Sequence, residues 1–418
     1  MKKILFLFFL PLLSLAQNTS VVFDNKIYKP EIHTVLLHPK DFVLASPILA
    51  LNSGEQLTIS FDDFSNNINT YSYTLIHCTP NWTQSNIWVS EYIKGYSEFT
   101  ISNYEYSFNT KQKYIHYSEN FPNDNMQITK SGNYILKVFQ DGNQENVVLT
   151  YRFMVVEQKI ETQIDQHASS VPGEQYYKHE VDFNILPKQV TVSDPFTEIK
   201  VVLLQNYNWN TAITNLKPQF IKDGMLTYNY SEENNFSAGN EFRYFDIRSL
   251  RFYSERILSY DTDSAISVTQ LKADEKRNFL QYRLYEDLDG MRYIDIQEST
   301  NDKVEADYSL VHFTLLSKDS LPGSNVYVYG ALTNWQYLPE AKMQYNADKK
   351  LFHTSLLLKQ GYYNYNYTVV KDSKADEGYF EGNFYQTENV YQVLVYYKTV
   401  IGDYWQLVGT SLVKSTLR

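Results

Sequence analysis

Polar and apolar residues alternate along most of the chain, and the three-to-four-residue spacing of an amphipathic helix is scarce. Residues 56–61 and 71–75 alternate in the way that is typical of half-buried β-strands. Residues 132–139 and 147–156 flank the turn signal Asp141-Gly142, which predicts a β-hairpin. The pattern therefore predicts an all-β protein.

Breaks in this pattern divide the chain into modules. Strand-like segments up to residue 157 predict a first β-sandwich, and those from residue 158 to residue 320 predict a second one. The turn signal Leu321-Pro322-Gly323 marks the next break, after which a third, smaller sandwich is expected. We therefore expect tandem immunoglobulin-like or β-sandwich domains over residues 17–157, 158–320 and 321–418.

Residues 1–16 have the three-part layout of a secretory signal peptide. Lys2 and Lys3 precede an apolar run, and Ser14 and Ala16 supply the small residues of a cleavage site. The run is shorter than the roughly 20 residues of a membrane-spanning helix, and no cysteine follows it for lipid attachment. No later segment is a long uncharged apolar run, so we expect an exported mature chain without a transmembrane segment.

Composition narrows the class of partner. The 37 Tyr and 24 Phe residues favour strands and supply contact area for a protein interface. The net charge of −11 disfavours nucleic acid, whose phosphates attract basic surfaces. Cys78 is the one cysteine, so an intrachain disulfide is excluded and we expect a buried thiol.

Residues that carry chemistry are present, but their spacing matches no known catalytic or metal-binding motif. The chain has no Gly-rich phosphate loop, Gly-x-Ser-x-Gly elbow or His-Glu-x-x-His motif. His77 and Cys78 are neighbours on a predicted strand, so they point to opposite faces and cannot share a metal ion. The same holds for Asp62 and Asp63 as a glycosidase pair. We therefore expect no enzyme, with no catalytic residue, no cofactor and no metal site.

Residues 286–290, Glu-Asp-Leu-Asp-Gly, resemble half of a calcium loop. Glu298 lies out of register for the distal ligand of such a loop. A hairpin turn closed by Asp289-Gly290 needs no cation, and we favour this interpretation.

The charged residues after Phe242 leave two interpretations open. Arg243, Asp246, Arg248 and Arg251 form either structural ion pairs or an exposed contact. Charge pairs across strands commonly stabilise sheets, which favours the structural interpretation. Any single tyrosine likewise fills a core more often than it contacts a partner.

The C-terminal module resembles the early-set immunoglobulin-like domains that accompany glycogen-binding modules. The resemblance rests on residues 326–330, Asn334-Trp335 and residues 361–367. Asn366 stands where sugar-binding members have a lysine, and no tryptophan occurs between residues 369 and 390. The resemblance therefore implies the fold, whereas these departures disfavour glycan binding.

A second resemblance covers nearly the whole mature chain. It rests on six segments in matching order: residues 73–78 with Trp82, 104–110, 121–126, 131–134, 240–250 and 285–290. In these segments the chain resembles the plug protein family of the type IX secretion system of Bacteroidetes, which was formerly a domain of unknown function.

This resemblance implies a non-catalytic protein on the periplasmic side of the outer membrane. Its partner would be the large outer-membrane β-barrel translocon, whose periplasmic opening it would close. The resemblance implies no particular contact residues, so the residues that contact the partner remain unknown. The alternative is a carbohydrate-binding or polysaccharide-processing accessory protein, in which Trp335 would contact the glycan.

Overall fold

The computed structural model describes residues 21–399 and 401–415, and within these ranges most of the regular secondary structure is β-strand. The predicted all-β fold of sandwich domains is therefore confirmed. The predicted signal peptide, residues 1–16, lies outside the described residues. Within the described ranges, no helix is both long and apolar enough to cross a membrane.

The first sandwich holds the strands from residue 26 to residue 156. They are β1 Lys26–Ile27, β2 Ile32–Pro39, β3 Ile48–Ala50, β4 Leu57–Asp63, β5 Tyr71–Cys78, β6 Ile93–Gly95, β7 Glu98–Ile101, β8 Asn103–Tyr106, β9 Ile115–Phe121, β10 Met126–Ile128, β11 Gly132–Gln140 and β12 Val147–Val156. A short helix, α1 (Val89–Tyr92), precedes β6.

Two sheets of this sandwich enclose its core. One has the order β1-β12-β11-β5-β7, with β3 beside β12, and the other has the order β2-β4-β9-β8. The predicted hairpin is confirmed, since β11 and β12 pair antiparallel from Gly132↔Val155 onwards. Phe61, Tyr117 and Phe153 lie fully buried between the sheets. The alternating pattern thus places its apolar positions in one shared core.

The remaining strands follow in chain order. They are β13 Ile160–Ala168, β14 Lys178–Pro187, β15 Ile199–Gln205, β16 Asn208–Thr214, β17 Phe220–Lys222, β18 Met225–Tyr228, β19 Asn235–Ser237, β20 Arg243–Asp246, β21 Ile257–Asp261, β22 Ser267–Leu271, β23 Arg292–Ile294, β24 Tyr308–Leu316, β25 Asn325–Tyr329, β26 Gln344–Asn346, β27 Leu351–Lys359, β28 Gly361–Lys371, β29 Lys374–Asp376, β30 Val390–Lys398 and β31 Trp405–Lys414. Between them lie three short helices, α2 Pro195–Glu198, α3 Asp302–Glu305 and α4 Gly378–Glu381, and the 3-10 turns Ala331–Thr333 and Pro339–Ala341.

The second sandwich is built from two separate parts of the chain. One sheet has the order β13-β14-β18-β17, with β19 beside β14, and the facing sheet has the order β16-β15-β30-β31. β15 and β30 pair antiparallel from Ile199↔Tyr397 to Gln205↔Tyr391. The last two strands of the chain therefore complete a sheet that began near residue 199.

The third sandwich spans residues 243–380 and is inserted between β19 and β30. One sheet is centred on β28, which pairs with β20, β23, β25 and β29, and the other has the order β21-β22-β24-β27-β26. The two ends of the insertion lie side by side, since Asn240 Nδ2 donates to the carbonyl oxygen of Glu381 at 2.8 Å. Phe384 N also donates to the carbonyl oxygen of Gly239 at 2.8 Å.

Strand pairing therefore corrects the predicted boundary between residues 320 and 321. Residues 158–320 and 321–418 do not form separate domains, because β15 and β30 lie on either side of that boundary and pair in one sheet. Period-2 alternation marks a strand and its buried face but carries no information about which strand lies beside it. The predicted boundary after residue 157 falls between β12 and β13.

The first and second sandwiches also pack directly on each other. Ile135 and Met154 from the first sandwich and Val202, Leu394 and Tyr396 from the second belong to one buried cluster. In β30 the alternate residues Tyr391, Val393 and Val395 face the core of the second sandwich instead. Both faces of β30 are therefore buried, and four sheets form one continuous stack.

The discontinuous second sandwich predicts how truncated chains behave. A chain of residues 17–320 lacks β30, so β15 keeps β16 but loses its other neighbour in the sheet, and apolar residues on both its faces become exposed. We expect rapid proteolysis of residues 158–237 in this truncated chain.

The control is a chain in which a short Gly-Ser linker replaces residues 243–380, whose ends are adjacent. It keeps β30 and β31 and should protect residues 160–237. Limited proteolysis with mass spectrometry compares the two chains. A protease-resistant second sandwich in the 17–320 chain would contradict the observed pairing.

Candidate functional site

A buried ion pair joins the first sandwich to the third. Asp62 Oδ2 on β4 accepts hydrogen bonds from Lys359 Nζ at 2.7 Å and from Tyr308 OH at 2.6 Å. Asp62 Oδ1 lies 2.7 Å from His116 Nδ1. Asp62 and Lys359 are each 1% exposed. Burial acts to raise the pKa of Asp62, but Lys359 and His116 outweigh it and hold that pKa below its usual value.

Hydrogen bonds surround this pair on the same interface. Lys111 N donates to Asp307 Oδ2 at 2.7 Å, and Tyr114 OH donates to the carbonyl oxygen of Ala306 at 2.8 Å. Thr34 Oγ1 lies 2.6 Å from the hydroxyl oxygen of Tyr308. A buried charge is tolerated when it is paired and hydrogen-bonded, and both conditions hold here.

A cavity of about 130 Å³ lies where the three sandwiches meet. Trp82, Trp209 and Trp335 come from the first, second and third sandwich respectively, and all three line it. Trp82 and Trp209 pack edge to face with ring centroids 5.0 Å apart. The Arg152 guanidinium lies 4.5 Å from the centroid of Trp82. Aromatic side chains thus occupy the junction.

Trp335 is the residue on which the carbohydrate-binding alternative depends. Its ring packs edge to face against Tyr329 and Phe242, with centroids 5.5 and 5.9 Å away. Asn366, which stands where the sequence comparison with sugar-binding modules expects a lysine, is only 5% exposed. Trp335 therefore contributes to the junction between sandwiches.

The charged residues after Phe242 are mainly structural. Arg243 donates to Glu381 Oε1 at 3.0 Å and to Asp274 Oδ1 at 2.8 Å. Arg248 pairs with Asp246 at 2.7 Å. Arg251 is exposed and takes no part in these pairs. The structural interpretation therefore holds for Arg243, Asp246 and Arg248.

His77 and Cys78 point to opposite faces of β5, as the sequence predicts. His77 Nδ1 lies 2.8 Å from Ser85 Oγ, and its Nε2 lies 3.1 Å from the carbonyl oxygen of Ser131. Cys78 packs in the cluster between the first and second sandwiches. Burial lowers the pKa of His77 to about 4 and raises the pKa of Cys78 to about 12, so both groups are neutral at pH 7.

The Asp-Leu-Asp-Gly segment forms a turn, but this turn does not close a hairpin. Asp289 and Gly290 both have positive φ, at +50° and +81°, and Met291 N donates to the carbonyl oxygen of Leu288 at 2.9 Å. The residues before the turn are not in a strand, and β23 after it pairs with β28. A Cβ at Gly290 would lie 2.4 Å from Trp335 Cη2, so glycine is required for this packing.

The most promising docking surface, which we call the aromatic edge, comprises Tyr104 and Tyr106 on β8 and Phe108, two residues beyond the end of that strand. These side chains are 42%, 60% and 60% exposed. β8 is the last strand of its sheet, so one side of its backbone faces no strand among the described residues. An open edge with exposed aromatic side chains is suited to contact with another protein. Residues 104–110 were noted in the sequence, but only the structure shows that the strand is an edge.

The fold and this edge define the class of the protein, which is a multi-sandwich β-protein with a surface suited to binding another protein. A model of the first domain of the type 9 secretion system plug protein matches residues 32–157, within the first sandwich. A search of curated proteins found no match. The crystal structure of a hypothetical protein from Parabacteroides merdae ATCC 43184, at 2.30 Å resolution, is similar to the chain, with 31% identity and a TM-score of 0.91. The similarity covers 94% of this chain and 100% of that chain.

The chain therefore belongs to the type 9 secretion system plug protein family. Its role lies in type IX secretion. The predicted membership of this family is thus confirmed by the match over residues 32–157. The resemblance of the C-terminal part to early-set immunoglobulin-like domains stays a prediction.

Because the Asp62–Lys359 pair is buried, we expect that removing one partner strongly lowers the stability of the protein. Lys359→Met leaves a buried carboxylate without its cation, and we expect a loss of about 3–5 kcal/mol in the free energy of unfolding. Adding Asp62→Asn to this variant should restore part of the loss, because the remaining charge is removed. Urea unfolding followed by tryptophan fluorescence measures both effects.

Lys349→Met is the matched control, since Lys349 is exposed in the same sandwich. Its effect should stay within about 0.5 kcal/mol. Equal effects of Lys349→Met and Lys359→Met would show that the buried pair does not hold the sandwiches together.

Proposed function

We propose that this protein is the non-catalytic plug subunit that closes the periplasmic opening of the outer-membrane translocon barrel in type IX secretion. The observation that carries the proposal is the family match over residues 32–157. The predicted signal peptide supports export to the periplasm, and the family match supports a place at the inner face of the outer membrane.

The mechanical requirements of a plug agree with the packing. A plug must keep its shape in order to block the passage of solutes through the barrel. Its parts must therefore not move independently. Sandwiches joined only by linkers would move, because motion between domains is the default unless their interface is large and apolar. Here an apolar cluster joins the first and second sandwiches, and the buried Asp62–Lys359 pair joins the first and third. Both contacts favour a single stiff body.

The surface supports binding rather than a reaction. The aromatic edge supplies large side chains at low entropic cost, together with an open strand edge for backbone hydrogen bonds. We propose that the translocon barrel contacts the protein at this edge. Trp335 is half-buried and its ring packs on Tyr329 and Phe242, which disfavours its use as a stacking platform for a glycan.

Co-purification tests the proposed partner. The tagged chain, isolated from gently solubilised outer membranes of its own host, should recover a very large β-barrel protein. Tyr104→Ser/Tyr106→Ser/Phe108→Ser should reduce this recovery at least about tenfold, which corresponds to about 1.4 kcal/mol of binding free energy. Circular dichroism checks that the variant is folded.

Phe220→Ser/Ile221→Ser is the matched control, since both residues are exposed on β17 of the second sandwich. It should leave recovery unchanged. Recovery of no barrel by the wild-type chain would overturn the proposed partner. Undiminished recovery by the triple variant would overturn only the assignment of the edge.

Gating has its own test. Deletion of the protein should leave the barrel open and increase entry of a large antibiotic that the intact outer membrane excludes. The triple variant at the aromatic edge should reproduce the increase, whereas Phe220→Ser/Ile221→Ser should not. Unchanged permeability on deletion would contradict a plug.

A further inference from the structure

Three side chains that can ligate a metal ion converge on the outer face of the second sandwich. His167 lies on β13, and Glu180 and Asp182 lie on β14. His167 pairs directly with Glu180, and Asp165 with Asp182, so all four side chains share one face of the sheet. Val181 and Phe183, which alternate with them, point into the core.

The ligand atoms lie at distances that suit one ion. His167 Nε2 is 3.4 Å from Asp182 Oδ2 and 3.9 Å from Glu180 Oε1. All three atoms lie within 4.8 Å of one another. A tetrahedral zinc ion with bonds of about 2.0–2.2 Å places its ligand atoms about 3.3–3.6 Å apart. A small side-chain rotation therefore brings all three into coordination.

Each of the three side chains also forms a hydrogen bond through its second polar atom, and these bonds orient the ligand atoms. His167 Nδ1 donates to the carbonyl oxygen of Ala168 at 2.8 Å, so Nε2 is the ring nitrogen that faces the two carboxylates, and a metal ion would replace its hydrogen bond with Asp182 Oδ2. Glu180 Oε2 accepts from Ser170 N and from Ser170 Oγ, both at 2.7 Å. Asp182 Oδ1 accepts from Asn234 Nδ2 at 2.8 Å. Metal ligands commonly have such partners, which fix their orientation.

The charges at this site are unbalanced. The Glu180 side chain is 3% exposed, and within the described residues no hydrogen bond reaches its Oε1. Asp165 adds a third carboxylate directly opposite Asp182. In the same described ranges, no lysine or arginine pairs with any of these three carboxylates. Like charges opposite each other destabilise a sheet, and a divalent cation would relieve this.

We propose that His167, Glu180 and Asp182 bind one divalent transition-metal ion of the zinc type. An imidazole ligand favours such an ion over Mg²⁺ or Ca²⁺, which prefer oxygen ligands alone. The ion would link β13 to β14 and leave a coordination position for solvent. This proposal is independent of the plug function and replaces the expectation, drawn from the sequence, of no metal site.

Equilibrium dialysis of the mature full-length chain tests the site. The protein is prepared without a polyhistidine tag, stripped with a chelator and titrated with ZnCl₂. We expect one zinc ion per chain. His167→Gln, Glu180→Gln and Asp182→Asn should each weaken binding at least tenfold. His353→Gln, which changes an exposed histidine of the third sandwich, should leave binding unchanged.

His167→Gln is the decisive variant, because the His167 side chain is 38% exposed and its replacement threatens the fold least. Absence of a saturable zinc site in the wild-type chain would overturn the proposal. So would equal binding by His167→Gln and His353→Gln. X-ray diffraction at the zinc edge gives a second readout, in which an anomalous peak is expected between the three ligand atoms. A peak elsewhere would assign zinc to a different site.

Discussion

Burial of both faces of β30 is the constraint on which the architecture depends. Tyr391, Val393 and Val395 fill the core of the second sandwich, while Leu394 and Tyr396 pack towards the first. Tyr396 OH also donates to Asn133 Oδ1 of the first sandwich at 2.8 Å. Fully burying one large apolar side chain contributes about 1.5–3 kcal/mol. The return of the chain to pair β30 with β15 therefore stabilises two cores at once.

The third sandwich depends on the same pairing, because it leaves and rejoins the second sandwich at adjacent points. Its orientation is then set by polar contacts with the first sandwich, above all the Asp62–Lys359 pair. An apolar face tolerates small sliding movements, whereas a buried ion pair requires one geometry. The two kinds of contact together favour one arrangement of the three sandwiches, which is the property that the proposed plug function requires.

The alternation of residues along a strand determines which properties of the candidate residues can be predicted from the sequence. His77 and Cys78 point to opposite faces because they are neighbours on a strand, and that rule needs no tertiary structure. The same rule separates Asp62 from Asp63, but it cannot identify Lys359 as the partner of Asp62, because the two residues are far apart in the chain. His167, Glu180 and Asp182 match no motif spacing, since they meet only through the register of β13 with β14. The aromatic edge was visible as a tyrosine-rich segment, whereas its exposure depends on β8 being the last strand of its sheet.

The sequence by itself determined the strands, the all-β class and the family, because alternation is a local property and family segments are read directly from residue order. It also indicated the first sandwich, whose strands lie close together in the chain. Only the tertiary structure decided that residues 390–414 complete the second sandwich and that residues 243–380 are an insertion. The physical reason is that an alternating strand specifies which of its faces is buried. Its neighbour is selected by the packing of the whole chain.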